Sequence, residues 1–397
     1  MEDSLPRLRS AILAGDTADV TSLLDSYPEL RARLNEGDPN FHFGATTLIL
    51  AVGKKNREMI DLLLRAGADI NARSNWWAGS FGVLDGCTPE LAPFLIERGA
   101  AVDAHAAARL GMLDRLREIV DATPDVVHAR GGDGQTPLHF AATVEIADFL
   151  LDRGADPNMR DIDHESTPAQ WMIQDREAVA RRVVERGGET DLLLAAAIGD
   201  LDRVRRHLDA DPSSIAMSVT VEQFPMRNPH AGGKIYIWTL GWNKTAHMAA
   251  REHGHEEVYR FLMERSPAEL RLAMACATGD DEAIDSIGKV PIQGQARRIV
   301  DATEANDAAA VRRFVRAGWP LDARGQHRMT ALQWAAFHGN LEIVRMLLDA
   351  GADANLGGND FGGNALGAAR FGSEHGWYAK TGNYTGVIDA LVAAGAE

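Results

Sequence analysis

The side chains best suited to chemistry gather in a few short stretches. Asp163, His164 and Glu165 follow one another in the string DIDHES. Further on, a segment without helical patterning carries Glu222, Asn228, His230, Tyr236, Trp238 and Trp242, with Glu252 and His253 soon after it. A carboxylate beside an imidazole can serve as general base and acid, because imidazole exchanges its proton near neutral pH. On that ground Asp163, His164, Glu222 and His230 are the catalytic candidates. Indoles and a phenol around a few polar groups also make the floor of a small-molecule pocket. This adds Glu165, Asn228, Tyr236, Trp238, Trp242 and Glu252 as ligand-binding candidates, together with Trp76 and Trp77 of the earlier string SNWWAGS.

No fixed-spacing motif ties these residues into a known reaction. The chain has no glycine-rich phosphate loop followed by Lys-Ser/Thr, and no GxSxG elbow. The string HGHEEV at His253 lacks the second histidine that a zinc helix needs, and GGNDFGGN at Gly357 follows no strand pattern. Cys87 and Cys276 are the only cysteines and lack CxxC spacing. No cofactor and no bound metal are therefore expected, and the balance leans away from an enzyme.

Three recurring phrases must position these residues. One ends a leucine-rich helix in Gly-Ala-Asp: LLLRAGADIN to Asn71, LLDRGADPN to Asn158 and LLDAGADAN to Asn355. Looser copies place glycines at Gly99, Gly187, Gly318 and Gly395. Gly67 to Gly395 is 395 − 67 = 328 residues, close to ten periods of about 33. A second phrase opens a helix: TTLILAV at Thr46, TPLHFAA at Thr136, TPAQWMI at Thr167 and TALQWAA at Thr330. Thr serves as N-cap there, and Pro fits the first turn, where its missing N–H costs nothing. The third phrase is a small-residue helix closed by Gly-Asp or Gly-Asn, as in AILAGD, AAAIGD, ACATGD and AAFHGN. Together they describe one helix–turn–helix unit, repeated.

The phrases resemble ankyrin repeats, most closely at Thr136–Asn158 and Thr330–Asn355. The resemblance implies an all-α helical solenoid of about twelve helix–turn–helix repeats over residues 1–397. It also implies a binding face of loop tips and first helices that holds a protein or peptide partner. His139 and His247 then fall in the repeat's usual scaffold histidine slot. The tip and inner-helix positions that the family uses for contact include His42, Phe43, Asp133, Asp163, His164, His327, Asp360, Phe361, Phe337 and His338.

Departures from the repeat are where function is expected. The largest is Pro212–Gly241, a long irregular insertion between repeats 1–211 and 242–397. Alternation around Ile235–Trp238 after AGG predicts a strand and a hairpin turn. The others are Ser74–Cys87, SNWWAGSFGVLDGC, and Arg370–Tyr384, RFGSEHGWYAKTGNY. The first two lie about four repeats apart, so they meet only if the array curves strongly.

Composition sets the outer bounds. The chain has 397 residues and a formal charge of −16, which argues against broad nucleic-acid binding and favours a basic or neutral partner. No apolar run is long enough to span a membrane and no signal core opens the chain, so a cytoplasmic setting is the expectation. Two functions compete. One is a scaffold gripping a partner with Trp76, Trp77, His164 and Trp238. The other is a small-molecule binder or enzyme whose pocket joins the sixth to eighth repeats to the insertion. Self-assembly through the array ends ranks last.

Overall fold

The computed structural model describes residues 4–397. It is built of short helices in pairs, and no strand occurs among the described residues; one isolated bridge joins Ser218 to Thr245. The chain divides into two compact units, Met1–Leu194 with Val219–Trp242, and Ala195–Ser218 with Asn243–Glu397.

The three phrases fold as local chemistry dictates. Thr46, Thr245 and Thr330 cap first helices, each hydroxyl accepting a backbone N–H one turn on. At Thr330 the cap is reciprocal, because Gln333 reaches back to the threonine N–H, and Gln170 makes the same return bond to Thr167. His139 does the same for Thr136 through Nδ1, at 3.1 Å. His247 does not share that slot. It sits one residue closer to its threonine, and its Nε2 meets Ser266 Oγ at 2.8 Å.

In the Gly-Asp phrase the glycine reverses the chain in the left-handed conformation, as at Gly15 and Gly279. The side chain after this left-handed residue, which is Lys55 before Asn56 and Asn306 before Asp307, caps the second helix: Asp16, Asn56, Asp200, Asp280, Asp307 and Asn340 all accept an N–H three residues on. Second helices bury one leucine-rich stripe. Leu63, Leu150 and Leu347 are fully enclosed, and each is worth about 1.5–3 kcal/mol of burial. First helices such as Leu192–Ala197 are buried all round; their small side chains let neighbouring pairs pack closely.

The asparagine that ends the Gly-Ala-Asp phrase links repeats. Asn71 donates to Gly99 O and accepts from Ala101 N. Asn158 repeats this with Gly187 and Glu189, and Asn355 with Gly395 and Glu397.

The insertion departs from expectation. Its opening, Pro212–Ala216, is a 3-10 turn like Pro28–Arg33 and Pro124–His128 after other second helices, so it is still scaffold. Ile235–Trp238 does not form a strand. Tyr236–Thr239 is a single helical turn, and Ile235 and Tyr236 are both buried while Trp238 is 63% exposed. Two adjacent buried side chains break the period of two that a strand requires.

Candidate functional site

In the first unit, successive repeats place their tips side by side. The tips at Gly131–Gln135 and Asp161–Ser166 are each closed by a bond from the first N–H to the last carbonyl. The second holds one residue more, and that extra residue makes room for both Asp163 and His164. The two tips bond directly, since Ile162 N and Asp163 N donate to Asp133 O at 2.8 and 3.2 Å. The earlier tip joins them: Trp76 Nε1 donates to Asp133 Oδ1 at 3.0 Å. Gly79 there sits at φ +145°, and a Cβ on it would stand 2.1 Å from Gly131 O, so only glycine allows this approach.

The insertion folds back over these tips. Gly232 N donates to the carbonyl and to Oδ1 of Asp163, both at 3.0 Å. His164 Nδ1 meets Gly233 O at 2.6 Å. Glu165 accepts from the backbone N–H groups of Arg227 and Asn228 at 3.0 and 2.9 Å, and Lys234 Nζ donates to Glu165 O. Tyr236 is buried with its hydroxyl on Asp191, at 2.8 Å, and within 3.0 Å of Gln170 Nε2. The Trp77 and His230 rings lie 6.2 Å apart, so the two irregular segments do meet.

Asp163, His164, Glu165, Asn228, Tyr236, Trp76, Trp77 and His230 therefore share one region. Other candidates do not join its centre. Glu222 is exposed on the insertion, and Trp238 and Trp242 face water. Glu252 belongs to the second unit, where it pairs with Lys244. Sequence reasoning missed Asp161, which accepts from Trp171 Nε1 at 2.6 Å and from His164 N at 2.5 Å. Trp171 itself is half-buried and stands edge-on to His164.

Burial sets the electrostatics. Asp133 is raised to about 6 by desolvation, then by the neighbouring Asp163 carboxylate. Asp161 is also raised by burial, against the hydrogen bond from Trp171. Burial brings Lys234 down to about 8, helped by Arg160. Asp133, Asp163 and His164 each offer one donor atom, all within 4.8 Å of one another. Between this tip and the insertion lies a cavity of about 550 Å³ lined by Arg160, Glu165, Phe224, Met226, Arg227 and Lys234.

The second unit holds an apolar pocket of about 500 Å³. Tips supply His327 and Phe361, helices supply Trp334, Phe337 and Phe371, and the turn after His375 supplies Trp377. Trp334 and Trp377 stack at 6.1 Å, Phe337 and Phe371 at 6.3 Å, and His327 meets Phe361 at 5.3 Å. Phe361, Phe371 and Trp377 are 72%, 59% and 71% exposed. The signal for this pocket was the third departure, Arg370–Tyr384, beside tip positions already marked for contact.

No helix among the described residues is long and apolar enough to cross a membrane. The sequence model of the Ankyrin repeat matches residues 43–75, 133–162 and 327–359. Ankyrin repeat domain-containing protein SAT10 of Stachybotrys chartarum is 21% identical over 394 residues, covering 84% of this chain and 19% of that protein. Palmitoyltransferase Hip14 of Drosophila melanogaster is 31% identical over 99 residues, 25% of this chain and 14% of that protein. The chain thus spans less than a fifth of the length of these relatives. The human ASB11 ankyrin repeat domain aligns with a TM-score of 0.34 and 19% identity, over 73% of this chain and 96% of that one. The three matches show that this chain of helix pairs carries ankyrin repeats, which serve as scaffolds for protein interaction.

Proposed function

We propose that the chain holds a peptide segment of a protein partner by an apolar anchor side chain seated in the aromatic pocket of the C-terminal repeats. The observation that carries this is the exposure of Phe361, Phe371 and Trp377 around one pocket of about 500 Å³. Contiguous apolar surface of this kind is rare on a monomer and favours a covering partner. The rings already stack on Trp334 and Phe337, so little side-chain freedom is lost on binding. Tips and first helices supply most of the lining, which is the face expected from the repeat pattern.

A random-peptide selection against the whole chain tests this. Enriched peptides should share an aromatic or large aliphatic residue, and Trp377→Ala should weaken them by about 30-fold or more, the loss of a hot-spot aromatic. Peptides that bind Trp377→Ala and Phe371→Ala as tightly as the parent would sink the reading. A second reading, an anionic small molecule, is favoured by Arg160, Arg227 and Lys234 around the cavity beneath the insertion. Native mass spectrometry would then retain an added mass that denaturation releases; the bare chain mass counts against it.

A further inference from the structure

We propose that Asp133, Asp163 and His164 bind a divalent first-row transition-metal ion, with one imidazole nitrogen and two carboxylate oxygens as ligands. This runs against the sequence expectation of no metal. That expectation rested on the absence of local spacing motifs, whereas here one histidine meets aspartates from two adjacent tips.

The histidine's tautomer is the first argument. Gly233 O can only accept, so His164 Nδ1, 2.6 Å away, carries the hydrogen. Nε2 is left facing Asp163 Oδ2 at 3.5 Å. A lone pair aimed at a carboxylate is repulsive unless a cation stands between them. The ring and the carboxylate are only 10% and 5% exposed, so water screens this poorly.

The second argument is the surrounding support. Metal-binding imidazoles donate their other N–H to a carbonyl or carboxylate, and metal-binding carboxylates are themselves hydrogen-bonded. His164 does the first with Gly233. Asp163 Oδ1 accepts from Gly232 N, and Asp133 Oδ1 accepts from Trp76 Nε1. Each candidate ligand is thus aimed by a neighbour. A Cβ on Gly232 would press to 3.1 Å from both Asp163 Oδ2 and His164 Cε1, so glycine keeps that side clear.

The third argument is reach. The donor atoms lie within 4.8 Å of one another. Around an ion with bonds of about 2.1 Å, tetrahedral ligands stand about 3.4 Å apart, so the triad closes by small side-chain movements. An N,O,O set suits borderline Zn²⁺ through its imidazole and harder Mn²⁺ through its carboxylates, and three protein ligands leave a position open to water or a ligand. Because Asp163 and His164 also hold Gly232 and Gly233, the ion would fasten the insertion to the tips.

Protein stripped with EDTA is titrated calorimetrically with ZnCl₂ and, separately, MnCl₂, and bound metal is counted by elemental mass spectrometry. One ion per chain is expected, with micromolar or tighter Zn²⁺ affinity. Trp76→Phe, which keeps an aromatic ring but removes the positioning bond, should weaken binding about 10- to 100-fold; Asp163→Asn and His164→Gln should weaken it more. Circular dichroism checks that each variant stays helical. Wild type that takes up no ion at millimolar metal overturns the proposal. Binding that survives in helical Asp163→Asn and His164→Gln also overturns it. If those variants lose helicity, Co²⁺ on the wild type decides: paramagnetic shifts of the His164 ring protons are expected, and unmoved resonances overturn the assignment.

Discussion

His139 shows how far a single residue's role can be argued. Burial holds its imidazole down to about 3, against about 6.5 in an unfolded chain. Between those values the unfolded chain binds a proton that the folded chain refuses, so this group's contribution is complete above pH 6.5. It is lost as pH falls, at about 1.4 kcal/mol per unit. Asp133, raised to about 6, has the opposite sign: between about 6 and 4 the folded chain takes the proton first, and acid adds stability. A substitution separates the two. Glutamine already occupies the equivalent slot at Gln170 and Gln333 and makes the same bond to its threonine, so His139→Gln should fold. The stability difference between wild type and His139→Gln, from urea unfolding, should move in the variant's favour by more than a unit of kcal/mol between pH 6.5 and 5. A difference that stays constant with pH would show that His139 is not buried neutral. The histidine slot was legible because it sits at fixed spacing from Thr136. The triad of Asp133, Asp163 and His164 was not, because adjacency of two tips depends on how repeats stack, and no local spacing records that.

At the scale of one element, the insertion is anchored by Tyr236. The departure from the repeat was plain in the sequence, yet its shape was misread. Ile235, Tyr236, Ile237 and Trp238 alternate in type, but burial follows the anchor at Tyr236 rather than a pleat. The buried hydroxyl bonds Asp191 and Gln170, and Tyr236→Phe strips both of a partner in a region closed to water. A loss of about 1–3 kcal/mol is expected. Since the insertion's other bonds run to the Asp161–Ser166 tip, the change should localise. Hydrogen exchange should speed up across Val219–Trp242 while the helix Glu177–Glu185 stays protected. Uniform acceleration through both segments would mean that Tyr236 supports the repeats themselves.

For the molecule as a whole, stability in a stack is carried by contacts between neighbours, so the position of a lesion matters as much as its chemistry. The asparagine clasps make this testable, because the same two bonds recur at Asn158 and Asn355. Their regularity was written in the Gly-Ala-Asp phrase, although the bonding role of its final asparagine was visible only once the next repeat's glycine was placed. Each clasp joins partly exposed groups, so alanine should cost about 1 kcal/mol at either site. The consequences should differ. Asn355 ties down the helix pair Ala365–His375 and Tyr384–Ala393, through Gly395 and Glu397. In Asn355→Ala, faster exchange should stay within Ala365–His375 and Tyr384–Ala393. Asn158 lies between repeats, and Asn158→Ala should loosen both Val144–Asp152 and Glu177–Glu185. Exchange measured helix by helix distinguishes this from a uniformly cooperative fold, in which either substitution would lower protection everywhere by the same factor. That uniform result would mean repeat-to-repeat coupling exceeds the stability of any single pair of helices, and neighbour-limited stability would have to be abandoned for this chain.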